Sequence, residues 1–385
     1  MRRLAAVSLL LVACLAAPGG AVAQEPPSFR ARAVIVADGA TGEILFEQNA
    51  DSRIPIASIT KIMTALVTLE QARPAERVTV KGRAPSIGES TIHLRIGERI
   101  SVRDLLAAAL VQSANDAAFA LAAHVGEGRV QRFVQLMNER AAELGLDDTR
   151  FVRPDGLDVS GHYSTARDVL DLSREAMEEP VFRRIVRQRG GRIAGGRSLY
   201  AWNDLLRSGS FPGIIGVKTG HTDAAGWSQV AAAKRDGITI YAVLLGSPTR
   251  AQRNRDLAEL LDWGFGHFGR VTLVSADRVY ATAAMPFSDE HLPLVAERPA
   301  GAVVRLGRPL IERVVAEAVV DLPVEAGDKI GEIVVLDGRR VVSRRALVAA
   351  HAADDASFGD EVGWYAGRAL DEAGEMLDSV FEALG

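Results

Sequence analysis

The chain of 385 residues has a single cysteine, so it can form no intramolecular disulfide and offers no cysteine pair for a zinc or iron–sulfur site. Metal binding would fall to His and carboxylates, and no His-Glu-x-x-His occurs. A basic excess is also missing. With 45 Lys+Arg against 49 Asp+Glu the formal charge is −4, which excludes the strongly basic domain of a nucleic-acid binder. The glycine pairs in the Arg-rich stretch 183–197 lack phosphate-loop spacing, and no internal repeat is visible. What remains is 48% hydrophobic and 24% charged, the profile of a globular protein with room for two or three domains.

Both ends depart from that even composition. Met1-Arg2-Arg3, an apolar run over 4–17 that is short for a membrane span, and Ala21-Val22-Ala23 before Gln24 read as a secretory leader cleaved after Ala23. The rival reading is a lipobox, Leu11-Val12-Ala13-Cys14, with lipid on Cys14. At the other end, 351–385 carries nine acids and one arginine. Its apolar residues from Phe358 to Leu384 recur every three or four positions, which predicts an acidic amphipathic helix over 358–384.

Between these ends, 33–37 and 43–47 flank an Asp-Gly-Ala-Thr-Gly turn and predict a hairpin. Ile59, Ile62, Met63, Leu66 and Leu69 predict a buried helix over 58–71. A helical stretch at 101–125, interrupted near 112–116, and a helix at 130–144 follow. Strands at 228–233 and 238–245 flank Asp236-Gly237, and a helix at 251–268 closes this unit. From about 271 to 350 short β-rich runs predict a separate small domain.

Ser58-Ile59-Thr60-Lys61 puts a hydroxyl and an amine one helical turn apart, where the amine reaches the hydroxyl. A serine becomes a nucleophile when a neighbouring base takes its proton, and a lysine serves once its pKa is lowered. By chance Ser-x-x-Lys arises about once or twice in such a chain. Ser113-Ala114-Asn115 adds a second hydroxyl and a carboxamide at a break between helices. Lys218-Thr219-Gly220 lies on a predicted edge strand, where Lys and Thr suit a substrate carboxylate and Gly leaves space for substrate backbone. The bland readings are an N-cap serine with a surface lysine, a polar helix end and a loop lysine.

The set, in this order and spacing, resembles the low-molecular-mass penicillin-binding proteins, the serine D-alanyl-D-alanine carboxypeptidases. The strings at 57–70 (ASITKIMTALVTLE), 112–118 (QSANDAA), Gly156-Leu157-Asp158 with 162–168 (HYSTARD), and 216–226 (GVKTGHTDAAG) carry the likeness, which covers about 30–350. It implies an α/β fold of the penicillin-binding/serine β-lactamase-like transpeptidase type. In that fold an antiparallel sheet is flanked by helices, with an α-helical subdomain; a small all-β domain and a C-terminal amphipathic helix follow. The expected layout is a signal peptide over 1–23, a catalytic domain over 24–269, the β domain over 270–350 and the acidic helix over 351–385.

The resemblance further implies that Ser58 is the nucleophile, Lys61 the acylation base and Ser113 the donor to the leaving amine. Asn115 would bind substrate backbone, and Lys218 and Thr219 the free carboxylate, beside Gly220. The N–H groups of Ser58 and His221 would form the oxyanion hole, and a charged Lys218 would help keep Lys61 neutral. Some members place an Arg for the carboxylate where this chain has Trp202, which shifts that task further onto Lys218 and Thr219. The implied substrate is a peptidoglycan pentapeptide ending in D-Ala-D-Ala, the implied inhibitors are β-lactams, and no cofactor or metal is expected. The implied compartment is periplasmic or otherwise extracytoplasmic. A basic membrane anchor in many members is here acidic, so 358–384 is expected to make a weak membrane-surface or helix–helix contact. The same triad also serves DD-endopeptidases and β-lactamase-like hydrolases; a wall-binding scaffold is the non-enzymatic alternative. The 153–168 region offers Asp155 and Asp158 but no glutamate for rapid deacylation.

Overall fold

The computed structural model describes residues 8–15, 25–357, 359 and 361–366. It divides into two compact units, one from Ala23 to Gly266 and one from His267 onward that also takes in the strand Ser8–Leu15.

The first unit is built on a five-stranded antiparallel sheet. Its strands are β1 (Ala33–Asp38), β2 (Ile44–Gln48), β3 (Ile214–Thr222), β4 (Gly226–Arg235) and β5 (Ile238–Ser247), in the order β2-β1-β5-β4-β3. Asp236 and Gly237 both take positive φ, the turn that matches the twist of the flanking strands β4 and β5. The Lys-Thr-Gly strand β3 is an edge, so one side of its backbone is left free of sheet pairing.

The helices are α1 (Lys61–Gln71), α2 (Val102–Val111), α3 (Asn115–Val125), α4 (Val130–Glu143), α5 (Ala166–Glu178), α6 (Pro180–Val186), α7 (Asp204–Ser208) and α8 (Arg250–Gly266). Helix α1 is buried continuously from Lys61 to Thr68. Such a helix must satisfy its own hydroxyls: Thr68 Oγ1 donates to Thr64 O at 2.7 Å and Thr64 Oγ1 to Pro154 O at 2.6 Å. Its β-branched residues are poor helix formers in isolation, and burial among α2, α3, α4 and α5 overrides that preference. Side-chain caps start three neighbours: Ser101 for α2, Thr165 for α5 and Asn203 for α7.

The second unit is β-rich. An antiparallel sheet runs in the order Ser8–Leu15, Leu310–Glu317, Lys329–Asp337, Arg340–Ala349, His291–Ala296, Val279–Ala284, with a second ribbon of Phe268–Val274 and Ala300–Arg305. Leu292, Leu294, Ile333, Val335 and Leu347 form its core. Part of the apolar run read as a leader thus takes an edge-strand place in this chain, Ser8 opposite Glu317. The expected cleavage site after Ala23 lies outside the described residues. So does the predicted tail helix, apart from residues 359 and 361–366, which are helical. Among the described residues no helix is long and apolar enough to cross a membrane.

Candidate active site

Ser58 sits in a 3₁₀ turn, Ala57–Thr60, that leads directly into α1. Ala57, just before it, takes φ +48, a left-handed conformation that a non-glycine residue holds only when its surroundings impose it. Gly156 and Gly220 help impose it. A Cβ on Gly156 (φ +84) would lie 1.9 Å from Ala57 O, and one on Gly220 would lie 2.8 Å from Ile56 O and 3.2 Å from Ser58 N. Gly220 therefore serves first to let β3 press against the Ser58 turn. The space expected for substrate backbone at its Cα is taken up by the protein's own chain.

Lys61 is wholly buried and its Nζ contacts three oxygens, each at 2.7 Å: Ser58 Oγ, Asn115 Oδ1 and Asp155 O. Burial lowers its pKa to about 8, against the opposing attraction of Asp155 and Glu89. Desolvation, ahead of the like-charge help expected of Lys218, is the dominant cause. Lys218 is buried as well and is itself held well below the usual lysine range, by burial first and by Lys61 second. Its Nζ donates to Ser113 Oγ at 2.8 Å and to Thr219 O at 2.9 Å, so it is sequestered behind Ser113 rather than turned to the cavity.

Ser113 takes φ +65 at the break between α2 and α3. Asn115 opens α3; its Nδ2 donates to Gly88 O at 3.0 Å and its backbone N–H to Ser90 O at 2.7 Å, which docks the 88–90 loop. The buried carboxylate of Asp116 accepts from the backbone N–H of Ile92 and of Leu94, each at 3.1 Å, and holds the next part of that loop.

Below Lys61, the 153–158 segment is fixed from several sides. The Asp155 side chain accepts from Arg153, and Asp158 accepts from Thr222 Oγ1 at 2.7 Å and Ala224 N at 3.3 Å. Buried His162 accepts from Val152 N at Nδ1 (3.1 Å), which leaves Nε2–H to donate to Thr60 Oγ1 at 2.7 Å. Its pKa is pushed down to about 4, mainly by burial, so the ring is neutral at neutral pH.

A cavity of about 180 Å³ lies in front of these groups, lined by Ser58, Ser113, Asn115, Thr219, Gly220 and His221. Seven of the eight residues picked out from sequence, these six and Lys61, thus meet at or directly behind one cavity; Lys218 touches it through Ser113. Glu89 is the one carboxylate residue in the lining. Of the far wall, only Trp202 was picked out from sequence. There Arg250 and Arg253, from the first turn of α8, join Trp202 and Trp227. Asp204 accepts from Arg250 Nε at 2.7 Å, Asn254 Nδ2 at 2.9 Å and Arg207 Nη2 at 3.0 Å. Burial alone would raise the Asp204 pKa, but these donors hold it well below the usual carboxylate range. Arg253 is 1% exposed, and burial pulls its pKa down to about 10. The Arg250 guanidinium lies 5.1 Å from the Trp202 ring, and the His221 ring stacks on Trp227 at 3.9 Å. Three guanidiniums around a single carboxylate leave this wall with net positive charge.

The family model of D-alanyl-D-alanine carboxypeptidases (peptidase S11) matches residues 20–249. The chain is 32% identical over 384 residues to the D-alanyl-D-alanine carboxypeptidase DacC of Escherichia coli (strain K12), covering 93% of this chain and 94% of that one. Its structure is similar to penicillin-binding protein 5 from Haemophilus influenzae, with 27% identity and a TM-score of 0.62 over 86% of this chain and 99% of that chain. It is also similar to penicillin-binding protein D2 from Listeria monocytogenes in the ampicillin-bound form, with 33% identity and a TM-score of 0.57 over 63% and 100%. With the matched model spanning more than half of its length, the chain belongs to the peptidase S11 family of serine D-alanyl-D-alanine carboxypeptidases.

Proposed function

We propose that the protein removes the terminal D-Ala from peptidoglycan pentapeptides through an acyl-enzyme on Ser58, and that β-lactams acylate the same oxygen. The observation that carries this reading is the 2.7 Å contact between Lys61 Nζ and Ser58 Oγ, with Lys61 buried and its pKa lowered. A neutral amine donates two hydrogen bonds and accepts one. Asn115 Oδ1 and Asp155 O take the two donors, so the lone pair faces Ser58 Oγ–H. Lys61 takes that proton as Oγ attacks the penultimate D-Ala carbonyl carbon, and the oxyanion is received by the N–H groups of Ser58 and His221. Ser113 Oγ accepts from Lys218, which leaves its own O–H to protonate the leaving D-Ala nitrogen. Asn115 has an Nδ2–H beyond its bond to Gly88 O for the substrate backbone. Lys61 passes the proton it took from Ser58 on to the Ser113 oxygen and is neutral again; it then takes a proton from the water that opens the ester and returns it to Ser58 Oγ as the acyl bond breaks.

Thr219 and the cationic wall of Arg250 and Arg253 receive the free carboxylate, so Trp202, where some members carry an arginine, is offset by an arginine reaching over its ring from α8. Asp155 and Asp158 are engaged within the protein, consistent with slow release of a penicilloyl group. The reading places the mature protein in the periplasm. Its tail helix is assigned a weak membrane-surface or helix–helix contact, with Trp364 and Tyr365 at 5.8 and 5.9 Å from Phe287. Incubation with a pentapeptide tests the activity by mass. Loss of one D-Ala with wild type and none with Ser58→Ala is the expected result, and release by the variant contradicts it.

A further inference from the structure

A second and larger cavity, about 820 Å³, lies in the same unit outside the site just described. Four of the side chains that line it are cationic: Arg77, Lys81, Arg83 and Arg153. Its one acid, Glu127, is ion-paired with Arg132, and its histidine, His124, faces Glu76 at 2.8 Å. Arg153 binds the Asp155 carboxylate, and Arg77 donates to Arg99 O at 2.9 Å. Lys81 and Arg83 are exposed and have no ion-pair partner among the described residues. The groove therefore presents uncompensated positive charge above an apolar floor that includes Phe119.

Three elements carry the Ser58 site into this groove. Helix α3 lines the first cavity at Asn115 and the second at Phe119 and Ala123, positions four residues apart on one face. At about 1.5 Å per residue those positions lie roughly 6 and 12 Å along the helix from Asn115. The loop that lines the groove at 82–87 lines the Ser58 cavity at Glu89 and Ser90. Arg153 stands two residues before Asp155, whose carbonyl holds Lys61. The wall of Thr219, Trp202, Arg250 and Arg253 takes the leaving D-Ala, so the acyl portion of the substrate departs on the Asn115 side. An extended peptide advances about 3.3 Å per residue, so two to four residues span that distance.

We propose that this groove is an acyl-side subsite for an anionic peptide, and that the enzyme favours substrates with free carboxylates two to four residues before the scissile bond. The proposal rests on the carboxypeptidase reading above. Two pentapeptides ending in D-Ala-D-Ala test it, one with free stem carboxylates and one with the same carboxylates amidated. Wild type is expected to show a kcat/KM about tenfold higher for the acidic peptide, through KM, with the advantage shrinking at high salt. A Lys81→Glu/Arg83→Glu variant should lose that advantage while keeping its activity on the amidated peptide and its rate of penicillin acylation. Equal kcat/KM for the two peptides with wild type, or an unchanged ratio in the variant, overturns the proposal. Release of D-Ala from neither peptide by a wild type that penicillin still acylates overturns the carboxypeptidase reading and the subsite with it.

Discussion

Lys218 Nζ donates to Ser113 Oγ at 2.8 Å, joining the edge strand to the break between α2 and α3 across 105 residues of chain. On the proposed reading this contact puts Lys218 on the proton path and leaves the substrate carboxylate to Thr219, Arg250 and Arg253. Lys61 completes the arrangement from below, and burial, aided by nearby cations (Arg153 for Lys61, Lys61 and Arg253 for Lys218), makes both amines easier to deprotonate.

Because Lys61 acts in its neutral form and its pKa is lowered to about 8, acylation should rise with pH and level off above that value. The second-order rate of penicillin acylation is expected to climb about fivefold between pH 7 and 8 and less than twofold from 8 to 9. A limb centred near pH 6.5 would point to an imidazole instead. Lys61→Met should lower the rate by at least about a hundredfold and flatten the profile.

Arg250→Gln should raise KM for a D-Ala-D-Ala peptide by about tenfold, as expected when one charge-assisted hydrogen bond is lost. The same variant should act on a peptide whose terminal carboxylate is esterified as well as wild type does. A uniform loss on both substrates would show that the arginine supports the wall rather than the carboxylate.

His162 is neutral in the folded protein, with its pKa near 4, whereas an unfolded chain binds that proton below about 6.5. The unfolded state is therefore favoured as pH falls through this window. Stability from this group is complete above pH 6.5 and is lost progressively toward pH 4, by up to about 3 kcal/mol. Urea midpoints measured from pH 7 to 4 should show the slope, and His162→Gln should reduce it.

Gly156→Ala places a Cβ 1.9 Å from Ala57 O at a residue with φ +84. Either the 153–158 segment or the Ser58 turn must move, so the variant should lose roughly 3 kcal/mol and most of its penicillin acylation. Thermal unfolding and acylation kinetics read the two effects separately. Gly82, at φ +62 with open space about it, serves as the control, and alanine there should cost far less.

The triad residues could be read from sequence because each lies in a short local pattern. Ser58 and Lys61 are one turn apart, Ser113 and Asn115 flank a helix break, and Lys218 and Thr219 precede a hairpin whose Asp236-Gly237 turn is itself a strong signal. The carboxylate wall had no such pattern. Asp204 meets Arg250 across 46 residues of chain, and that meeting depends on how α7 and α8 pack. The packing constraint on Gly156 likewise could not be read from sequence, since it is Ala57 O, about a hundred residues away. The surroundings of Gly220 and Lys218 were out of reach for the same reason. Strand position alone does not reveal that the Ser58 turn lies against Gly220, nor that the Lys218 amine is buried behind Ser113.

The most direct test of the acyl-enzyme is the site of covalent attachment. After brief exposure to penicillin, digestion and mass spectrometry should find one penicilloyl group on the peptide containing Ser58, none on Ser58→Ala, and slow recovery of free enzyme. A stable adduct at any other residue, or labelling that persists in Ser58→Ala, would contradict the account.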